Sequence, residues 1–175
     1  MYLILVLLLT STILAQDFDF DCKASVDLGT ACSQQKPILK YHFDSKTQTC
    51  LAFLYQGCGG NLNRFDSTGL CNRFCRPIDK FSCPLGSPVV PGTSTCRDSS
   101  ECGSTGYCKR GSHVGLCCQT AYRDKSHLEY NPKCPSGKSV YKIASSTFLG
   151  KSCKSNHCPE NATCIQGEYF ATCCV

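Results

Sequence analysis

Cysteine is the residue with chemistry to offer in this sequence, at 18 of 175 residues. Thiolates either hold metals or pair as disulfides, and spacing and compartment decide which. The cysteines fall into three groups of six. The first is Cys22, Cys32, Cys50, Cys58, Cys71 and Cys75; the second is Cys83, Cys96, Cys102, Cys108, Cys117 and Cys118; the third is Cys134, Cys153, Cys158, Cys164, Cys173 and Cys174. No Cys/His set has zinc-finger spacing. The four histidines, at 42, 113, 127 and 157, are scattered and read as surface or packing residues, so no metal site is expected. No Ser/His/Asp arrangement, phosphate-binding glycine loop or HExxH sequence is present. The chain is therefore not expected to be an enzyme, and no cofactor is implied.

The start of the chain indicates the compartment. Tyr2 to Leu9 is almost wholly apolar, and Thr10 to Ala15 ends in small residues. Residues 1–15 thus resemble a secretory signal peptide, cleaved after Ala15 or Gln16. The apolar run is shorter than the roughly 20 residues a bilayer requires. A secreted, extracellular protein meets an oxidising environment, where these cysteines become disulfides. The net charge is +5, but basic residues are spread along the chain without a block. Neither nucleic-acid nor membrane-surface binding is expected.

The elements that position these cysteines must be small. Even numbers per group indicate that each group closes on itself with three bridges. Modules this short bury too little apolar surface to offset chain entropy unaided, and each bridge is worth roughly 2–4 kcal/mol. The second and third groups form an internal repeat. Each opens with Cys-Pro-x-Gly, at Cys83-Pro84-Leu85-Gly86 and Cys134-Pro135-Ser136-Gly137, and each ends in a Cys-Cys pair. Adjacent cysteines are too close to bridge each other. That excludes Cys117–Cys118 and Cys173–Cys174 and leaves 12 of the 15 pairings in each repeat open. The polar stretch Gln119 to Lys133 reads as a linker, and Arg76 to Ser82 as a shorter one. In the first group, Ile38 to Asp44 reads as a strand, Ser45 to Gln48 as a turn and Leu51 to Gln56 as a second strand. Ser67 is a candidate N-cap for a helix through Cys75. Cys71 and Cys75 then share one helical face.

The stretch "FLYQGCGGNLNRFDSTGLC", with Phe53, Tyr55, Gly57, Cys58, Asn63, Phe65 and Cys71, resembles the Kunitz/BPTI domain over residues 22–75. Tyr41 and Phe43 match the family's preceding aromatic strand. The resemblance implies an α+β module, a twisted β-hairpin plus a C-terminal helix. It implies the pairs Cys22–Cys75, Cys32–Cys58 and Cys50–Cys71, with Asn63 bonded to hairpin backbone and Phe65 packed beneath. It also implies a substrate-like inhibitory loop, here Ala31, Cys32, Ser33 and Gln34. Ser33 would enter the S1 pocket of a serine protease, as the P1 residue. Preorganisation by the Cys32–Cys58 bridge limits the entropy lost on binding. The loop departs from the family pattern by two extra residues between Cys32 and Tyr41 and one between Cys22 and Cys32. A shifted register would make Lys36 the P1 residue, but Pro37 would follow it without a backbone N–H. Ser33 suits a small, elastase-like pocket better than one with a buried Asp.

Residues 83–118 and 134–174 resemble lustrin-type cysteine-rich repeats, found beside Kunitz domains in secreted multi-module invertebrate proteins, nematode ones among them. The expected architecture is small and disulfide-rich, a Kunitz module followed by two loop-rich modules joined by linkers with no shared core. The leading functional reading is a secreted serine-protease inhibitor. The alternative is a non-inhibitory structural or binding protein of an extracellular matrix. Ion-channel block, known for some venom members of the family, is a third reading. Asn161-Ala162-Thr163 is an N-glycosylation triplet, and Asn156-His157-Cys158 is a much weaker one.

Overall fold

The structure, a computed structural model, describes residues 20–76 and 81–175. The expected signal peptide and much of the shorter linker lie outside those residues. In chain order the first module holds β1 (Thr30–Ala31), β2 (Ile38–Asp44), β3 (Thr49–Tyr55), β4 (Gly57–Cys58) and helix α1 (Thr68–Cys75). The second holds β5 (Thr95–Cys96), β6 (Gly106–Arg110) and β7 (Gly115–Gln119). Helix α2 (Thr120–Tyr130) follows. The third module holds β8 (Lys142–Ile143), β9 (Ser146–Thr147), β10 (Leu149–Gly150), β11 (Thr163–Gln166) and β12 (Ala171–Cys174).

Strands β2 and β3 are rich in the aromatic and aliphatic residues that suit a half-buried pleat. They pair antiparallel from Ile38↔Tyr55 to Asp44↔Thr49. Their turn is closed by the Asp44 carboxylate, which accepts from Thr47 N at 3.2 Å and Thr47 Oγ1 at 2.5 Å. Helix α1 starts where Ser67 Oγ accepts from Leu70 N at 3.1 Å, satisfying one open donor of the first turn. Its buried face, Cys71 and Cys75, meets Phe43 and Phe65.

Nine disulfides close the described chain and leave no cysteine free. In the first module they are Cys22–Cys75, Cys32–Cys58 and Cys50–Cys71. The second has Cys83–Cys118, Cys96–Cys108 and Cys102–Cys117. The third has Cys134–Cys174, Cys153–Cys164 and Cys158–Cys173. All three groups follow one scheme: first with sixth, second with fourth, third with fifth.

Two expectations are corrected. The stretch Gln119 to Lys133 is not an open linker, because most of it is α2. No residue of this helix is fully buried, so apolar burial on one face does not explain it. Tertiary contacts hold it instead. The Glu129 carboxylate accepts from the backbone N–H groups of Glu168, Tyr169 and Phe170 at 2.8, 3.2 and 2.9 Å. Lys125 bonds Glu168 at 2.9 Å, and Thr147 Oγ1 donates to the Tyr130 carbonyl at 2.7 Å.

Nor are the modules without a shared core. A five-stranded sheet runs β11-β12-β10-β3-β2 across the first and third modules, with β10 parallel to β3 at Gly150↔Ala52. Leu51, Leu85, Leu149 and Phe170, from all three modules, pack as one cluster with Tyr122 of α2 at its edge. The physical reason is size. Each module leaves apolar surface that its own bridges cannot cover, and neighbours cover it. Lys151 adds a 2.9 Å ion pair to Asp44. Burial alone would raise the Asp44 pKa, but the Thr47 hydroxyl and the Lys151 ammonium outweigh it and hold the carboxyl below its usual value.

The second module docks on the β2–β3 turn through Gly86. Its φ is +68°, and a Cβ there would lie 1.7 Å from the Lys46 carbonyl oxygen. Gly86→Ala is expected to cost at least about 2 kcal/mol, since left-handed strain adds to a backbone clash. Denaturant unfolding of the oxidised chain measures it, and an unchanged midpoint would contradict this docking.

Candidate functional site

Ser33 to Ile38 are all exposed and sit at the end of the β2–β3 hairpin away from its Asp44–Thr49 turn. The loop is fastened at its base. β1 pairs antiparallel with β4 through Thr30↔Cys58 and Ala31↔Gly57, and the Cys32–Cys58 bridge follows directly, with Cα atoms 5.9 Å apart. Ala31, Cys32, Ser33 and Gln34 are therefore consecutive across a closed ladder end. Ala31, Ser33 and Gln34 are exposed and Cys32 is half-buried. Gln34 Oε1 lies 3.7 Å from Cys58 Sγ.

Gly57 lets the loop fold back. Its φ is +120°, and a Cβ would meet the Gln35 carbonyl oxygen at 2.5 Å and Cys32 Sγ at 3.3 Å. The neighbouring segment is fixed by two donors on one acceptor. The Gly59 carbonyl takes Tyr55 Oη at 2.8 Å and Arg64 Nη1 at 2.7 Å, while the Arg64 guanidinium lies 4.0 Å from the Tyr55 ring centre. Gln56 N donates to the Leu28 carbonyl at 2.8 Å, tying in the segment that leads into β1. Deeper, Asn63 is 1% exposed and makes three backbone bonds of 2.8 Å. It accepts from Phe43 N and donates to the carbonyls of Phe43 and Ala24. Phe65 is buried beside it and bridges to Tyr41. Arg64 is the positioning residue the sequence did not single out. It meets Tyr55 and Gly59 only through the fold.

The trailing modules leave this end alone. Among the described residues, the hydrogen bonds, pairings, bridges and ring contacts of 29–37 and 56–60 all stay within the first module. The third module instead meets the opposite end of the hairpin and the middle of β3, at Asp44 and Ala52.

Two groups elsewhere bring possible metal ligands within 4.8 Å: Cys96, Cys102 and Cys117, and His157, Cys158 and Cys173. Every cysteine among them is in a bridge, so none offers a thiolate. His157 is buried, and burial lowers its pKa. It fills the space beside Gly150 and Phe148 as a packing residue, as does His42 against Phe53. His113 and His127 are exposed. Asn161 is exposed at φ +65°, between Cys158 and Cys164.

Residues 21–76 match the Kunitz/Bovine pancreatic trypsin inhibitor domain. A BPTI/Kunitz inhibitor domain-containing protein of Caenorhabditis elegans is 36% identical over 158 residues, covering 89% of each chain. The major allergen Ani s 1 of Anisakis simplex is 37% identical over 182 residues, covering 96% of this chain and 94% of that one. The chain belongs to the BPTI/Kunitz inhibitor domain family. Kunitz/BPTI domain proteins are protease inhibitors, not enzymes. A further relative, the Kunitz-type serine protease inhibitor A of Rhipicephalus microplus, is 40% identical over 62 residues, 35% of this chain and 48% of that one. In the first two relatives the similarity runs on through the trailing modules. The many disulfides and these relatives fit an extracellular Kunitz protein.

Gly57→Ala is expected to displace the Kunitz loop rather than unfold the domain. Backbone amide shifts should change at Ser33 to Gln35 and leave Asn63 and Phe65 in place. Unchanged Ser33 to Gln35 resonances would mean that Gly57 does not set the loop's path.

Proposed function

We propose that the protein is a secreted serine-protease inhibitor that presents Ser33 as its P1 residue. The observation that carries this reading is the exposed stretch after Cys32, braced at its base by a ladder and a bridge. A loop already held in shape loses little conformational entropy on binding. Ser33 rather than Lys36 is P1, because it directly follows the bridged Cys32, and Lys36 precedes Pro37. Its short neutral side chain fits a small, elastase-like pocket. A trypsin-type pocket would keep its buried carboxylate without a partner. Residues 83–118 and 134–174 are read as lustrin-like repeats, on their openings, their Cys-Cys ends and their common bridge scheme. Asn161 carries an N-linked glycan in this reading, visible as a mass shift removed by a glycosidase.

The test compares wild type with Ser33→Lys against elastase-, chymotrypsin- and trypsin-type enzymes. Wild type should inhibit an elastase-type enzyme. Ser33→Lys should inhibit trypsin at least about 100-fold better than wild type, the scale of supplying a missing partner to a buried charge. Inhibition by neither protein, up to micromolar concentration, would end this reading. Retention in an insoluble matrix fraction with no protease bound would favour a structural role.

A further inference from the structure

The turn between β11 and β12 gathers three consecutive backbone N–H groups on one carboxylate. Glu129 Oε1 accepts from Glu168 N at 2.8 Å, and Oε2 accepts from Tyr169 N and Phe170 N at 3.2 and 2.9 Å. Successive amides turned to one point form a concavity that favours an anion. Gly167 gives it room, since a Cβ there would lie 2.6 and 2.8 Å from the two Glu129 carboxylate oxygens. The turn is braced without Glu129. Gly167 N donates to the Phe170 carbonyl at 2.7 Å. Gln166 spans the same turn, with Nε2 donating to the Phe170 carbonyl at 3.4 Å and Oε1 accepting from Cys153 N at 3.1 Å. The bridges Cys153–Cys164 and Cys158–Cys173 anchor the strands on either side.

Helix α2 has no such support of its own. It has 11 residues, too few for a helix to persist alone in water. Its N-cap, Gln119, makes no side-chain capping bond, and none of its residues is fully buried. Its start is held to the second module, where Thr120 N donates to the Thr105 carbonyl at 2.9 Å. Its far end is held by the third module. There Tyr130 packs edge-on against Phe170 at 5.6 Å between ring centres, and its carbonyl accepts from Thr147 Oγ1. Lys125 pairs with Glu168, but both side chains are exposed and such a pair contributes little. Charge-assisted bonds to a carboxylate are the strong ones, and at this end Glu129 makes three of them.

We propose that this turn is a carboxylate-binding site in its own right, which Glu129 fills as a latch on the last turns of α2. The site outlasts the latch, because its bracing comes from Gln166, Gly167 and two bridges. With the Glu129 carboxylate gone, a small free carboxylate takes the same three amides. While Glu129 is present, its tether gives it a high effective concentration and keeps free carboxylates out. Opening the latch frees the end of α2 without parting the modules, because the β10–β3 pairing at Gly150↔Ala52 does not pass through Glu129. The site does not depend on the proposed protease inhibition.

The test follows the backbone amides of the full oxidised chain, labelled with nitrogen-15, in wild type, Glu129→Ala and Glu129→Gln. Sodium acetate is titrated in at an ionic strength fixed with sodium chloride. In Glu129→Ala a saturable shift is expected at Glu168, Tyr169 and Phe170, with Thr172 and Cys173 unmoved. Wild type should show none over the same range. Amide exchange at Leu128 and Tyr130 should quicken at least about tenfold in Glu129→Ala. Glu129→Gln should quicken it too, because an amide offers one acceptor oxygen where a carboxylate offers two. No saturable acetate shift in Glu129→Ala, or exchange in both variants equal to wild type, overturns the proposal.

Discussion

Covalent closure is the constraint on which the rest of this molecule depends. No module here is large enough to stand on apolar burial, so cysteine pairs limit the unfolded chain instead. The same scheme serves three times. The first and sixth cysteines join the ends of a module, and two interleaved bridges fix its middle. The Kunitz domain and the repeats have different strands and different loops, so the common scheme does not come from a common sheet. It leaves each module with one loop tied across its base. In the Kunitz domain that loop is the one beginning at Cys32.

Closure alone does not organise the chain into one body. The modules settle against each other over small side chains. Ala52 is fully buried where β10 runs beside β3, and Gly150 leaves just enough room for the His157 ring. The α2 helix then acts as a strut. Its Glu129 carboxylate is held by three consecutive backbone amides of the turn between β11 and β12, an arrangement that favours an anion. The result separates two ends of the Kunitz hairpin. One end is taken up by packing and the other is left to solvent.

What the sequence reveals and what it hides follow from range. The cysteine groups, the internal repeat, the hairpin strands and the Ser67 cap are visible because each depends on spacing or on near neighbours. Asn63 and Phe65 are visible because the family resemblance places them. The role of "TAYRDKSHLEY" is hidden, since this helix buries no residue fully and is held by partners some forty positions away. The pairing within the repeats is hidden too, because adjacency excludes few of the possibilities. In the candidate site, the loop that begins at the bridged Cys32 is legible and the place of Arg64 is not. A guanidinium over a tyrosine ring leaves no periodic trace in the chain.

The parallel contact at Gly150↔Ala52 has a further meaning for how such proteins are built. It covers the side of β3 that the hairpin leaves unpaired, and Leu51 beside it is wholly enclosed by neighbours from the other modules. A Kunitz unit cut from this chain would carry a bare strand edge and an uncovered leucine, a template for association with other copies. Here the hairpin is fixed to its companions along that edge. Separating the modules would uncover apolar surface on each of them.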